Sequence, residues 1–277
     1  MKKFKVGLQL FSVRDDMAAD FEGTLQKVKD MGYDCVEFAG FFDKSAEEVK
    51  EILDRVGLEA ISVHQGNQLF KETGEKAIDY LKTIGVKYCA IPWYGKELLK
   101  GTDGWENTKK EFTEYSDALK KAGIKLLYHN HDFEFEKFDG KYLIDWLYEE
   151  LSADVISPEF DTCWVHYAGE DPCKYLEKYA GRIDVVHLKD FVCTNLASEP
   201  VYDLIDKSGK VGKKASREDN GFMFKPVGYG IQDIPAILAA AEKAGASCVI
   251  VEQDAAPEKP AMECAKMSRD YLKSLGL

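Results

Sequence analysis

The sequence predicts an α/β protein, a single-domain (β/α)8 barrel over residues 1–277, and three observations support this. Short apolar runs rich in β-branched residues alternate with longer amphipathic stretches, the pattern of repeated βα units around a parallel sheet. Eight such runs occur: VGLQLFSV (6–13), DCVEFAG (34–40), EAISVHQ (59–65), KYCAIPW (87–93), KLLYHNH (125–131), VISPEFD (155–161), DVVHLKD (184–190) and SCVIVEQD (247–254). No GxGxxG follows the first run, and the histidines and acids that end the runs are spread over many of them, which disfavours an open, doubly wound sheet. Right-handed crossovers close such a series into a barrel with its βα loops at one mouth.

The opening MKKFKVGLQLFSV is basic and then apolar, yet Gln9 and Ser12 interrupt it. Arg14, Asp15 and Asp16 follow with no small-residue cleavage site, so it reads as a first strand and not as a signal peptide. FEGTLQKVKDMG leads into the second strand, and SAEEVKEILDRVG, with Ser45 and Glu48 as a capping box, leads into the third. WENTKKEFTEYSDALKKAG, with Asp103 where an N-cap is wanted, precedes the fifth strand, and IPAILAAAEKAG, behind Asp233, precedes the eighth. Each of these four helices ends in a glycine that permits a left-handed stop. Residues 192–226 break the rhythm: they are polar, glycine-containing and much longer than a usual βα loop. They read as a lid or substrate loop, or as a plain surface insertion.

A chain of 277 residues is ordinary for one such barrel. No apolar stretch approaches the roughly 20 residues that span a bilayer, so no membrane association is expected. Seven cysteines without a CxxC pair suit reduced thiols in a cytoplasmic protein. A net charge of −12 opposes binding to phosphate backbones, which removes nucleic acid as an expected partner.

All five histidines, His64, His129, His131, His166 and His187, fall at or just past strand ends. Glu134, Asp161, His187 and Glu252 end the fifth to eighth strands and would meet at one mouth. Three carboxylates and one imidazole make an oxygen-rich site that needs a dication in a partly dry cavity, with Mn, Mg, Co and Zn all compatible. His129 or His131 is an alternative first ligand. Lys189 shares a face with His187 by strand alternation and is a candidate catalytic group or a salt-bridge partner of the mouth. His64, His129, His131 and Trp93 are expected to line the pocket beside Gln9 and Glu37. His166 is expected to orient a ligand or touch substrate, and Trp164 with Phe191 to form an apolar wall for a sugar ring. GYG at 228–230 offers amides to a phosphate or is a simple tight turn.

GLQLFSVRD, YHNHDFEF, EFDTCWVHYAGEDP, GRIDVVHLKD, PVGYGIQD and VIVEQD together resemble the xylose-isomerase-like TIM barrels, the sugar phosphate isomerases/epimerases, a superfamily that also holds inosose dehydratase and endonuclease IV. The resemblance implies one divalent metal held by Glu134, Asp161, His187 and Glu252, with Glu134 and Glu252 as bases on opposite faces of a small carbohydrate. It also implies a homo-oligomer. The reaction it favours is isomerisation or epimerisation of a sugar or keto-sugar, by proton abstraction to a metal-stabilised enediolate. The alternative is a lyase of the same fold, an inosose-type dehydratase or an enzyme that eliminates the aglycone of a 3-keto-glycoside; a non-catalytic sugar-binding subunit is a third class.

Overall fold

The computed structural model describes residues 4–95, 100–196 and 220–277. Eight parallel strands close into a barrel: β1 (Lys5–Gln9), β2 (Cys35–Phe38), β3 (Glu59–His64), β4 (Tyr88–Ile91), β5 (Lys125–His129), β6 (Ser157–Asp161), β7 (Val185–Leu188) and β8 (Cys248–Val251). Each strand pairs with its neighbours in sequence, and β1 closes on β8 through Lys5↔Cys248 to Leu8↔Val251. The expected strands overshoot at several ends. Leu10–Val13 turns into a 3-10 helix, because Gln9 leaves the sheet with its side chain accepting the Phe11 amide.

Outside the barrel lie α1 (Phe21–Asp30), α2 (Ala46–Val56), α3 (Glu75–Ile84), α4 (Asp103–Lys121), α5 (Leu143–Glu150), α6 (Pro172–Lys178), α7 (Ile234–Ala244) and α8 (Ala261–Ser274). Ser45 and Glu48 form the expected capping box, and Asp233 accepts the Ala236 amide at 3.1 Å. Asp103 is not the cap of α4; Thr102 is, its side chain accepting from Trp105 N, so Asp103 takes the first helical position. An acid there still complements the helix dipole.

Outward side chains of the strands, such as Val6, Leu8, Val36 and Leu126, join the apolar faces of the helices in one core. Inside the barrel a small apolar layer of Cys35, Ile61, Ala90, Leu127, Val185, Cys248 and Ile250 plugs the lower half. A Cβ on Gly7 would stand 2.4 Å from Ile250 Cδ1 and 3.0 Å from Cys35 Sγ, so a larger residue there would push side chains of the plug aside. Above it the interior becomes polar, and this layer carries the site.

The stems of the 192–226 insertion pair as an antiparallel hairpin, Asp190–Val192 with Met223–Lys225. Most of the segment, 197–219, lies outside the described residues, and so does the lid expected there.

Candidate metal centre and cavity

Register decides which side chains meet. In the β6/β7 pair Asp161 stands beside His187; on the flanks, His129 of β5 pairs with Glu159 and His187 pairs with Ile250 of β8. Side chains two residues apart share a face, so Glu252, two past Ile250, enters the barrel with them. One donor atom from each of His129, Asp161, His187 and Glu252 lies within 4.8 Å of the others. His187 Nδ1 is 3.0 Å from Glu252 Oε2, and His129 Nε2 is 3.6 Å from Asp161 Oδ2 and 3.9 Å from Glu252 Oε2.

Lys189 is 1% exposed and places its ammonium 2.9 Å from Asp161 Oδ2, 2.9 Å from Glu252 Oε2 and 3.0 Å from Asp254 Oδ1. Strand alternation had placed it on this side. Burial alone would raise the Glu252 carboxyl, but Lys189 and His187 hold it well below the usual range, so Glu252 is an anion. Burial, with the positive charges of His187, His64 and Lys189 nearby, pushes His129 well below its ordinary value and keeps it neutral, the state in which imidazole ligates. Burial likewise lowers His187, yet Glu159, Glu37 and Glu252 outweigh it and raise His187 well above the usual range, so an ion would bind His187 by displacing its Nδ1 proton.

These residues fit a divalent ion. Two imidazoles and two carboxylates form a mixed donor set suited to borderline cations, with His129 turning Nε2 toward Asp161 and Glu252. The carboxylate pair already gathers a positive charge, the Lys189 ammonium.

Glu134, expected as the first ligand, is not in this group. It sits on a 3-10 turn, Phe133–Phe135, beyond β5, where Oε1 accepts the Tyr128 hydroxyl at 2.6 Å and Oε2 the His131 amide at 2.8 Å. Its carboxyl is committed to bracing the turn behind the wall, and His129, the alternative, stands in the cluster.

Above the cluster opens a cavity of about 550 Å³. Its walls include His64, His129, His131, Trp93, Phe11, Lys189, Glu252 and Asp254. His64, His129, His131 and Trp93 are thus where the sequence placed them. His166 and Trp164 are not among the lining residues. His166 hydrogen-bonds Gln232 at 2.8 Å, while Trp164 is fully buried and stacks on Phe222 of the insertion stem with ring centres 5.6 Å apart. Gln9 and Glu37 are also fully buried, beneath the cavity and not on its wall. The GYG segment presents no amides to a phosphate, because Gly228 N and Gly230 N both donate to Asp190 Oδ2 at 2.9 Å.

Sequence reasoning missed Glu159 and Asp254. Each lies two residues from a named candidate, Asp161 or Glu252, so the alternation that placed Lys189 could have found both.

A closed parallel barrel with buried imidazole and carboxylate donors, compatible with a divalent ion, at its C-terminal mouth defines the class of protein. The model of the xylose isomerase-like TIM barrel family matches residues 25–275, and the chain belongs to that family. It is 26% identical to an inosose dehydratase of Geobacillus kaustophilus, covering 98% of this chain and 94% of that protein. Among solved structures, a sugar phosphate isomerase/epimerase from Parabacteroides distasonis superposes with a TM-score of 0.75 at 21% identity, covering 99% of this chain and 95% of that one. The IOLI protein with a bound zinc atom superposes at 0.68 and 16% identity, covering 98% and 97%.

Proposed function

We propose that this protein is a divalent-metal-dependent lyase that removes water from a keto-cyclitol or keto-sugar. One observation carries the choice: the carboxylates on the cavity wall, Glu252 and Asp254, lie two residues apart on one loop, whereas the β3 and β5 ends present imidazoles. Epimerisation by bases on opposite faces needs a second carboxylate across the cavity, where Glu134 is withdrawn and His129 and His131 stand instead. A base on one side and imidazoles on the other suit elimination. The inosose dehydratase relative agrees with this reading.

His129, Asp161, His187 and Glu252 would hold the ion, which when bound supplies a Lewis acid for negative charge developing on a carbonyl oxygen. Glu252, an anion at neutral pH, takes the proton α to the carbonyl. The C–H electron pair becomes the new C=C bond as the β C–O bond breaks, and His131 protonates the departing hydroxide to water. Lys189 keeps Glu252, Asp161 and Asp254 in place, and Trp93 and Phe11 give the ring an apolar face at the mouth. Phe222 and Phe224, on the stem of the 192–226 insertion, pack on Trp164 behind the cavity wall.

The second reading, isomerisation by proton transfer between adjacent carbons, needs carboxylates on one side only, and Asp254 stands beside Glu252 on the wall. Incubation of the metal-loaded protein with inososes, ketoses and 3-keto-glycosides in D₂O decides between them. Loss of water with growth of an absorbing enone is the expected result. Deuterium incorporation without water loss would favour the second reading, and no exchange at substrate carbon would sink both.

A further inference from the structure

We propose that Glu37 is a positioning residue for His187: it accepts the Nε2 proton and thereby turns Nδ1 toward the ion site, while His64 and Glu159 complete the cage that holds Glu37 in place. The inference rests on the reading of His129, Asp161, His187 and Glu252 as ligands of a divalent ion.

Glu37 is fully buried one layer below the cavity, where the neighbouring layer is filled by apolar side chains. Packing therefore does not explain a carboxylate there. Its Oε1 gathers three nitrogens, Gln9 Nε2 at 2.6 Å, His187 Nε2 at 2.8 Å and His64 Nε2 at 2.9 Å, whereas Oε2 has no hydrogen-bond partner among the described residues. A single oxygen, Oε1, thus serves both rings and the Gln9 amide.

The backbone agrees. The β2/β3 register slips between Val36 and Glu37, from Val36↔Ala60 to Glu37↔Ser62. Such irregularities re-aim a side chain beside a functional site. His187 is then held from both sides, Nε2 on Glu37 and Nδ1 facing Glu252 at 3.0 Å. Once an ion displaces the Nδ1 proton, the remaining proton stays on Nε2, and a carboxylate behind the ring holds it there and fixes the ring's orientation.

Glu159 repeats the arrangement more loosely. Its Oε2 lies 2.9 Å from His64 Nε2, 3.4 Å from His187 Nε2 and 3.5 Å from His129 Nδ1. His64 Nε2 thus sits equally close to both carboxylates and ties them together.

The test is calorimetric titration of Co²⁺ into the chelator-stripped full-length protein, with the visible Co²⁺ spectrum recorded at saturation. Wild type is expected to bind one ion per chain. Glu37→Ala should weaken binding about 10- to 100-fold and alter the spectrum. Glu37→Gln, which keeps the shape and one acceptor, should recover part of the affinity and stands in if the alanine variant does not fold. Affinity within twofold of wild type and an unchanged spectrum in either variant would overturn the positioning role alone. Two ions in wild type and one in Glu37→Gln would overturn it differently, by making Glu37 itself a ligand. No binding by wild type would overturn the ion-site reading as well.

Discussion

Lys189 Nζ stands 2.9 Å from Glu252 Oε2 in the barrel interior, and the same ammonium contacts Asp161 and Asp254. One buried cation therefore offsets three carboxylates, and removing it leaves them uncompensated. Breaking a buried pair of this kind costs about 3–5 kcal/mol. Lys189→Met is expected to lower the melting temperature of the chelator-stripped protein sharply, and a divalent ion should restore more stability to the variant than it adds to wild type. Equal ion-induced shifts in the two proteins, read by thermal denaturation, would show that the ammonium and the ion do not serve the same carboxylates.

Glu134 gives a pH-dependent signature. Burial pushes its carboxyl from the ordinary 4.5 up to about 8, even though Tyr128 and His131 donate to it. The unfolded chain releases this proton first. Stability from the protonated form is therefore complete below pH 4.5 and is lost as the pH rises toward 8. In urea denaturation at about pH 5 and about pH 8, Glu134→Gln should reduce the loss of stability between the two by a few kcal/mol, because a tenfold change in proton affinity between folded and unfolded chain is worth about 1.36 kcal/mol. Ion affinity should stay within about twofold of wild type. Loss of ion binding in this variant would return Glu134 to the ligand set.

The barrel was legible because its signal is periodic: apolar runs and glycine-stopped helices fall in the order the closed sheet uses. Asp161, His187 and Glu252 were legible for a related reason, since each ends a strand and alternation then points it inward. Glu134 falls outside the cluster because β5 stops at His129, and Phe133–Phe135 then form a tight turn whose direction no alternation rule conveys. Trp164 and His166 are turned away from the cavity wall by tertiary contacts. Both sit on the short helix Thr162–Tyr167, whose faces are claimed by Phe222 and Gln232, residues remote in sequence. The buried role of Glu37 depends on a register slip that composition does not announce.

Trp93 is 55% exposed and lines the cavity, so its ring is available to substrate and contributes little to the core. Trp93→Ala should change stability by no more than about 0.5 kcal/mol. A residue that contacts ground state and transition state alike raises KM and leaves kcat nearly untouched when removed. A KM increase of about 2- to 12-fold is expected, in line with the roughly 0.5–1.5 kcal/mol of one aromatic contact. A matching fall in kcat at constant KM would instead place the ring against the reacting atoms.

Asp190 anchors the loop that follows the insertion. Its two oxygens accept the amides of Phe191, Gly228 and Gly230, each at 2.9 Å, and of Gln232 at 3.1 Å. A Cβ on Gly230 would stand 2.1 Å from Asp190 Oδ1 and 2.4 Å from the Phe191 carbonyl, so alanine there must push the loop off its anchor. Gly230→Ala and Asp190→Ala are expected to produce the same defect from opposite sides, each costing about 2–3 kcal/mol of stability because charge-assisted bonds to buried amides are lost. Hydrogen exchange should accelerate across 226–232 in both. The double variant should cost little more than either single one, since both remove one set of contacts. Additive losses, or protection of 226–232 in the Asp190 variant, would mean that the loop is held by something other than this carboxylate.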